Sequence, residues 1–219
     1  MSTAKRFESL RNFSPLRHLR SLATRAEGWW FDLTRHVRTS AYIPLESLTV
    51  KGERKSGFAY FPTRPAAARQ ALEALPIRDY SQYAFVDLGS GMGRMLLLAA
   101  EYPFRNIQGV EFAAELHGLA QQNISRYRHP ARRCAEIESV HTDASEYQFP
   151  EGKFVLYLFN PFGPEVLAKV LANLAASLAQ NPRHVVMVIL NPEFASVADS
   201  TAYLRLYAQT RRYRIYQTV

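Results

Sequence analysis

The 219 residues (25.0 kDa) suffice for one sizeable domain or for a domain plus an extension. A composition of 47% hydrophobic and 21% charged residues excludes global disorder, no run reaches eighteen apolar residues, and a single cysteine, Cys134, excludes an internal disulfide framework. The formal charge of +8 is unevenly placed: residues 1–57 hold eleven Lys and Arg against five Asp and Glu, so a basic N-terminal extension (1–57) on a nearly neutral domain (58–219) is expected. Such an extension is compatible with an acidic partner, and one cysteine fits a reducing, cytoplasmic setting.

Residues 1–13 contain no apolar run of the kind a secretory signal needs. Ser14-Pro15 reads as a helix start, and Leu16, Leu19, Ala23, Ala26, Trp30, Leu33 and Val37 follow at three- and four-residue steps as one apolar stripe. Gly28 weakens the middle, which leaves one helix or two. The stripe must be buried against something, and packing on the domain as a lid over its substrate side is the expectation, with a second subunit or a membrane surface as alternatives. Residues 39–63 look irregular, with room for one short strand. A helix is expected from Thr63, with Thr63 as its cap and Pro65 near its start.

From there apolar strands and helices alternate. Strands are predicted at 83–88, 107–112, 137–141, 154–159 and 184–190, with helices at 92–102, 113–127 and 164–180 between them. Uniformly apolar strands joined by helices indicate an α/β fold with a mostly parallel, doubly wound sheet. Residues 203–210 and 213–219 alternate about a polar turn and read as an antiparallel hairpin, giving seven strands in all.

The strongest chemical signal is FVDLGSGMGR, residues 85–94: a strand ending in Asp87, glycines at 89, 91 and 93, then a helix. Glycines are needed where the chain turns sharply and passes close to a ligand. A dinucleotide fingerprint would require glycine at position 94, where Arg94 stands. The pattern resembles motif I of the class I S-adenosylmethionine-dependent methyltransferases, a Rossmann-like family, and the region Asp87–Glu111 is also similar to small bacterial enzymes that resemble non-SET histone-lysine methyltransferases. The resemblance covers roughly residues 58–219 and implies S-adenosylmethionine as cofactor.

That resemblance assigns residues one by one. Asp87, Gly89, Ser90, Gly91 and Gly93 would form the cofactor turn, and Glu111 with Phe112, closing the second strand, would hold the ribose. Asp143 and Ala144, after the third strand, would lie at the adenine. Asn160, in the Asn-Pro-Phe-Gly run after the fourth strand, is similar to the Asn of the Asn-Pro-Pro-aromatic motif of methyltransferases acting on amino or amide nitrogens; it would be the catalytic residue and also adjoin the cofactor. Phe162 and Gly163 depart from that motif and leave the target atom open. Tyr60, Phe61, Thr63 and Phe162 are candidate substrate-facing residues. No metal ligand set is expected, and the acceptor, a protein or a small molecule, is not identified. The alternatives are a nucleotide-dependent oxidoreductase, which Arg94 and the terminal hairpin oppose, and a non-catalytic S-adenosylmethionine-binding module.

Overall fold

The computed structural model describes residues 15–44, 48 and 60–219, with side chains described from Thr24 onward. In chain order the elements are α1 (Pro15–Arg35), α2 (Pro65–Glu73), β1 (Ala84–Leu88), α3 (Arg94–Ala99), β2 (Ile107–Glu111), α4 (Ala114–Arg126), β3 (Ile137–His141), β4 (Phe154–Leu158), α5 (Pro164–Gln180), β5 (Val185–Leu190), α6 (Ala195–Asp199), β6 (Leu204–Gln209) and β7 (Tyr213–Thr218). The seven strands form one sheet ordered β3-β2-β1-β4-β5-β7-β6, and the first five are parallel. β7 runs antiparallel between β5 and β6, which is the expected hairpin. The strand order reverses between β1 and β4, the topological switch point at which open α/β sheets place their ligands.

Strands β1, β4 and β5 are buried along their whole length because helices cover both faces. Side-chain alternation divides the core accordingly. Phe85, Val155, Tyr157, Val186 and Val188 face the side of α2 and α3, while Val86, Leu156, Leu158, Met187 and Ile189 face α5 and α6. On α5 the buried residues Leu167, Val170, Leu171 and Leu174 recur at helical spacing, and Pro164 occupies the first turn, where its missing N–H costs nothing.

The N-terminal helix is one of the two alternatives the sequence left open, and its buried face is not the expected one. It runs unbroken through Gly28, and of the predicted stripe's described side chains only Val37, just past the helix end, is buried: Ala26, Trp30 and Leu33 are exposed, Trp30 at 61%, and so is neighbouring Trp29 at 62%. The opposite face meets the domain, with Gly28, Phe31 and Arg35 buried. The reason is the partners the domain offers. Arg35 donates to Glu101, which Arg69 also reaches at 2.9 Å, while Phe31 enters the core beside Leu72 and Met95. Gly28 lets the Arg94 guanidinium approach, since a Cβ there would stand 3.2 Å from its Nη1. The expected Ser14 cap and the stripe positions Leu16, Leu19 and Ala23 lie outside the described residues or side chains.

Thr63 does not cap α2. Arg64 holds the N-cap position without a side-chain cap, and the Glu27 carboxylate of α1 accepts from the Ala66 N–H at 2.6 Å instead. The Thr63 hydroxyl lies 3.4 Å from the Tyr157 hydroxyl. The sequence division at residue 57 is therefore bridged by hydrogen bonds from Glu27, Asp32 and Arg35 to the remainder of the chain.

Candidate active site

The carboxyl ends of β1, β2, β4 and β5 converge on one cavity of about 580 Å³, within the range of small-molecule sites. Its floor is the turn after β1. Gly89, Gly91 and Gly93 have φ of 77°, 54° and 83°, the left-handed region where a side chain is strained. Two of them also have no room for one: a Cβ on Gly89 would stand 2.2 Å from Pro161 Cβ, and on Gly91 2.2 Å from Tyr60 Cε2. The turn is tied to β2, whose Val110 carbonyl accepts from Gly89 N and Ser90 N.

Glu111 ends β2 and is buried. Its Oε2 accepts from Gly91 N at 2.8 Å and its Oε1 from Ala113 N at 2.9 Å, so one carboxylate holds the glycine turn against the start of α4. A carboxylate has about four acceptor positions, which leaves capacity for a diol. Asp87, equally buried, ends the same stretch of cavity wall. Burial pushes both carboxyls above their ordinary range, and Asp87 is raised further by the neighbouring Glu111. The Ser90 hydroxyl is buried with no hydrogen-bond partner.

The wall facing the turn comes from the N-terminal segment. Tyr60 pairs with Ile43 in an isolated antiparallel bridge, donates its hydroxyl to the Thr39 carbonyl at 3.0 Å, and lays its buried ring over Gly91. Phe61 is 64% exposed at the mouth, 5.0 Å from the Tyr42 ring. Thr24, Leu48 and Thr63 complete this side.

Behind it lies a polar cluster that sequence reasoning missed. Arg94, the first residue of α3, is 4% exposed; Nε donates to Thr39 Oγ1 at 2.7 Å and Nη2 to Ser40 Oγ at 2.6 Å. Nη1 reaches the Thr63 carbonyl at 3.4 Å, and Asp32 Oδ1 is 3.5 Å from Nη2. Asp32 in turn accepts from the N–H groups of Thr39 and Ser40. Burial lowers the Arg94 pKa, opposed by the charges of Tyr60 and Asp32. A guanidinium opening the otherwise apolar run RMLLLA of α3 was the only sequence clue.

Beyond β4, Asn160 and Pro161 line the cavity with Phe159, and Asn191 and Glu193 join them from beyond β5. Phe162 does not: it is buried on the α5 side, around Leu158, Leu167 and Ile189. Phe112 lines the cavity, whereas Asp143 is exposed and accepts from Ser145 N and Oγ in its own turn, with Ala144 against the core. Neither Asp143 nor Ala144 lines the cavity. His141, at the end of β3, stacks on His117 and bonds the Phe112 carbonyl at 3.0 Å. Among the described residues no group of three His, Cys, Asp or Glu is placed to hold a metal ion.

The two buried carboxyls give the site a measurable signature. Folded Asp87 keeps its proton to higher pH than the unfolded chain does, so the folded state binds more protons across that interval. Stability contributed by Asp87 is therefore fully present below the ordinary carboxylate pKa of about 4 and is lost as pH rises toward the raised value. Thermal melts of Asp87→Asn across pH 4–8 are expected to lose less stability with rising pH than the wild type; parallel curves would show that Asp87 is not desolvated in the folded protein.

Residues 85–181 match the family model described as a methyltransferase domain. No match is found among curated proteins. Among solved structures the fold is similar to a predicted N6-adenine-specific DNA methylase from Listeria monocytogenes (16% identity, TM-score 0.52, 72% of this chain and 51% of that one) and to the PH0226 protein from Pyrococcus horikoshii (14%, 0.51, 71% and 88%). It is also similar to TrmN from Thermus thermophilus (19%, 0.50, 71% and 48%), so the chain spans about half the length of two of these three structures. Residues 85–181 are thus similar to a methyltransferase domain, and the seven-stranded sheet around them has the Rossmann-like fold of the class I S-adenosylmethionine-dependent methyltransferases.

Proposed function

We propose that the protein transfers a methyl group from S-adenosylmethionine to a nitrogen of a protein or small-molecule acceptor. The observation that carries this reading is the convergence of the glycine turn, Glu111, Asp87 and Asn160 on one cavity at the switch point of the sheet. The residues present fit the cofactor: a turn whose Cβ positions are taken, an acidic group with acceptor capacity for ribose hydroxyls, and a second buried carboxyl that a bound ammonium or sulfonium would draw toward its charged form. S-adenosylmethionine, when bound, supplies an electrophilic methyl on a positively charged sulfur. The protein's work is then positioning: Gly89, Gly91 and Glu111 fix the cofactor, and Asn160 orients the nitrogen lone pair. Asp143 and Ala144 belong to this reading only as the loop beside the adenine end, Phe112 as that ring's wall, and Tyr60, Phe61 and Thr63 as the substrate side.

The N-terminal segment supports a second element of the proposal. No helix among the described residues is long and apolar enough to cross a membrane. The outward face of α1 nevertheless presents Trp29, Trp30 and Leu33 beside exposed Arg25, in a segment carrying most of the net charge. Apolar surface flanked by cations suits an acidic partner.

Calorimetric titration with S-adenosylhomocysteine tests the cofactor reading. The wild type is expected to bind, and Glu111→Ala to bind more weakly by on the order of 1–3 kcal/mol, the range for removing a buried acceptor. Equal affinity in both proteins would take the ribose from Glu111, and no binding by the wild type would remove the methyltransferase activity itself.

A further inference from the structure

Glu193 is a cavity residue to which the family resemblance gives no role. Strands β4 and β5 end in the same way: Asn160 and Asn191 both have positive φ, 40° and 52°, and a proline follows each. Asparagine is among the few side chains that tolerate this region, so both strand ends turn sharply at the same level of the sheet. The second turn is held by Asn191 N donating to the Arg212 carbonyl at 2.6 Å and by Glu193 N donating to the Asn191 carbonyl at 2.8 Å. It brings the Glu193 carboxylate to Asn160, whose Nδ2 donates to Oε2 at 3.4 Å. Both side chains line the cavity.

The charges of the site single this carboxylate out. Arg94 is tied to Asp32, and Arg64 to Glu27. Asp87 and Glu111 are buried at the cofactor turn. Glu193 is exposed, and among the described residues no Lys, Arg or His lies within ion-pair distance of it. An open carboxylate beside Asn160 disfavours a polyanionic acceptor and favours a cation.

We propose that the acceptor is a primary amine, presented as an ammonium, and that Glu193 is the residue that receives it. This rests on the methyltransferase reading above. The ammonium donates to Glu193 and to the Asn160 carbonyl oxygen, gives up one proton through Glu193 to solvent, and turns the freed lone pair to the methyl carbon. The N–C bond forms as the C–S bond breaks, the bonding pair stays on sulfur as a neutral thioether, and the product leaves as a methylammonium. One proton is released per turnover, and no oxidant or further reactant is needed.

The test requires no knowledge of the natural acceptor. Sinefungin carries an amine-bearing carbon in place of the methylsulfonium of the cofactor, which puts a cation where the acceptor nitrogen and methyl meet; S-adenosylhomocysteine has none there. Calorimetric affinities for both are compared in the wild type and in Glu193→Gln. The substitution is expected to weaken sinefungin roughly tenfold, the effect of losing one charge-assisted hydrogen bond, while leaving S-adenosylhomocysteine unchanged. Unchanged S-adenosylhomocysteine binding also shows that the variant is folded. Equal change, or no change, in the two affinities overturns the role of Glu193 and leaves the cofactor reading standing. A wild type that binds neither ligand overturns both.

Discussion

Replacing Gly91 with alanine is expected to abolish cofactor binding, more than 100-fold by titration, and to destabilise the protein by about 2–4 kcal/mol. Two effects act at the same atom. The residue sits at φ +54°, which costs an L side chain about 1–2 kcal/mol, and the new methyl would stand 2.2 Å from Tyr60 Cε2 and 2.3 Å from Cδ2. The ring cannot simply yield. Its hydroxyl is bonded to the Thr39 carbonyl, its backbone pairs with Ile43, and its neighbours Leu48, Met92 and Leu116 are buried. Relief must come from the turn itself, which carries the N–H that Glu111 accepts. Gly118 provides the control, because a Cβ there meets nothing within 4 Å and the position is inside α4. Gly118→Ala should stabilise by roughly 0.5–1 kcal/mol and leave binding intact. Urea unfolding and calorimetry on the two variants check both statements, and equal stability of the pair would show that the glycine turn has more room than its Cβ positions allow.

Arg94→Met should lower stability by about 3–5 kcal/mol, the usual result of removing one partner from a buried ionic cluster. At roughly 2–4 °C per kcal/mol for a chain of this size, the melting temperature falls by about 6–20 °C. The guanidinium is the hub through which the N-terminal helix and the turn share partners: Thr39, Ser40, Asp32 and the Thr63 carbonyl. Methionine fills the volume but leaves the partly buried Asp32 without its cation, so the cost is electrostatic rather than a cavity. Asp32→Asn in the same background should recover part of the loss, since the neutral amide needs no cation. A variant melting within about 2 °C of the wild type would show that the cluster contributes little.

How far the fold could be read in the chain follows from periodicity. Strands β1, β2, β4 and β5 and helices α4 and α5 lie within one or two residues of their predicted bounds, because an apolar run between turn residues leaves a buried strand few alternatives. The six-residue α3 is shorter than predicted at both ends: the left-handed glycine turn delays its start to Arg94, and it stops at Ala99, three residues early. The short α6 carries too few residues to show a period.

Chemistry was legible where it sat on the chain's own geometry. The glycine turn, Asp87 and Glu111 belong to consecutive elements, and their spacing along the sequence already places them at neighbouring strand ends. What only the tertiary structure decided was which face of a helix meets which side chain. The stripe of Trp30 and Leu33 turned outward because Arg35 and Glu27 had better partners on the domain, in Glu101 and in the bare start of α2. Phe162, one residue beyond the cavity's Pro161, turned into the α5 core because the chain reverses there. Arg94 with Asp32, and Asn160 with Glu193, are pairs 62 and 33 residues apart. Burial of the central strands follows the local pattern, whereas a polar contact of that separation is set by the packing of whole elements, and no window of sequence contains both partners.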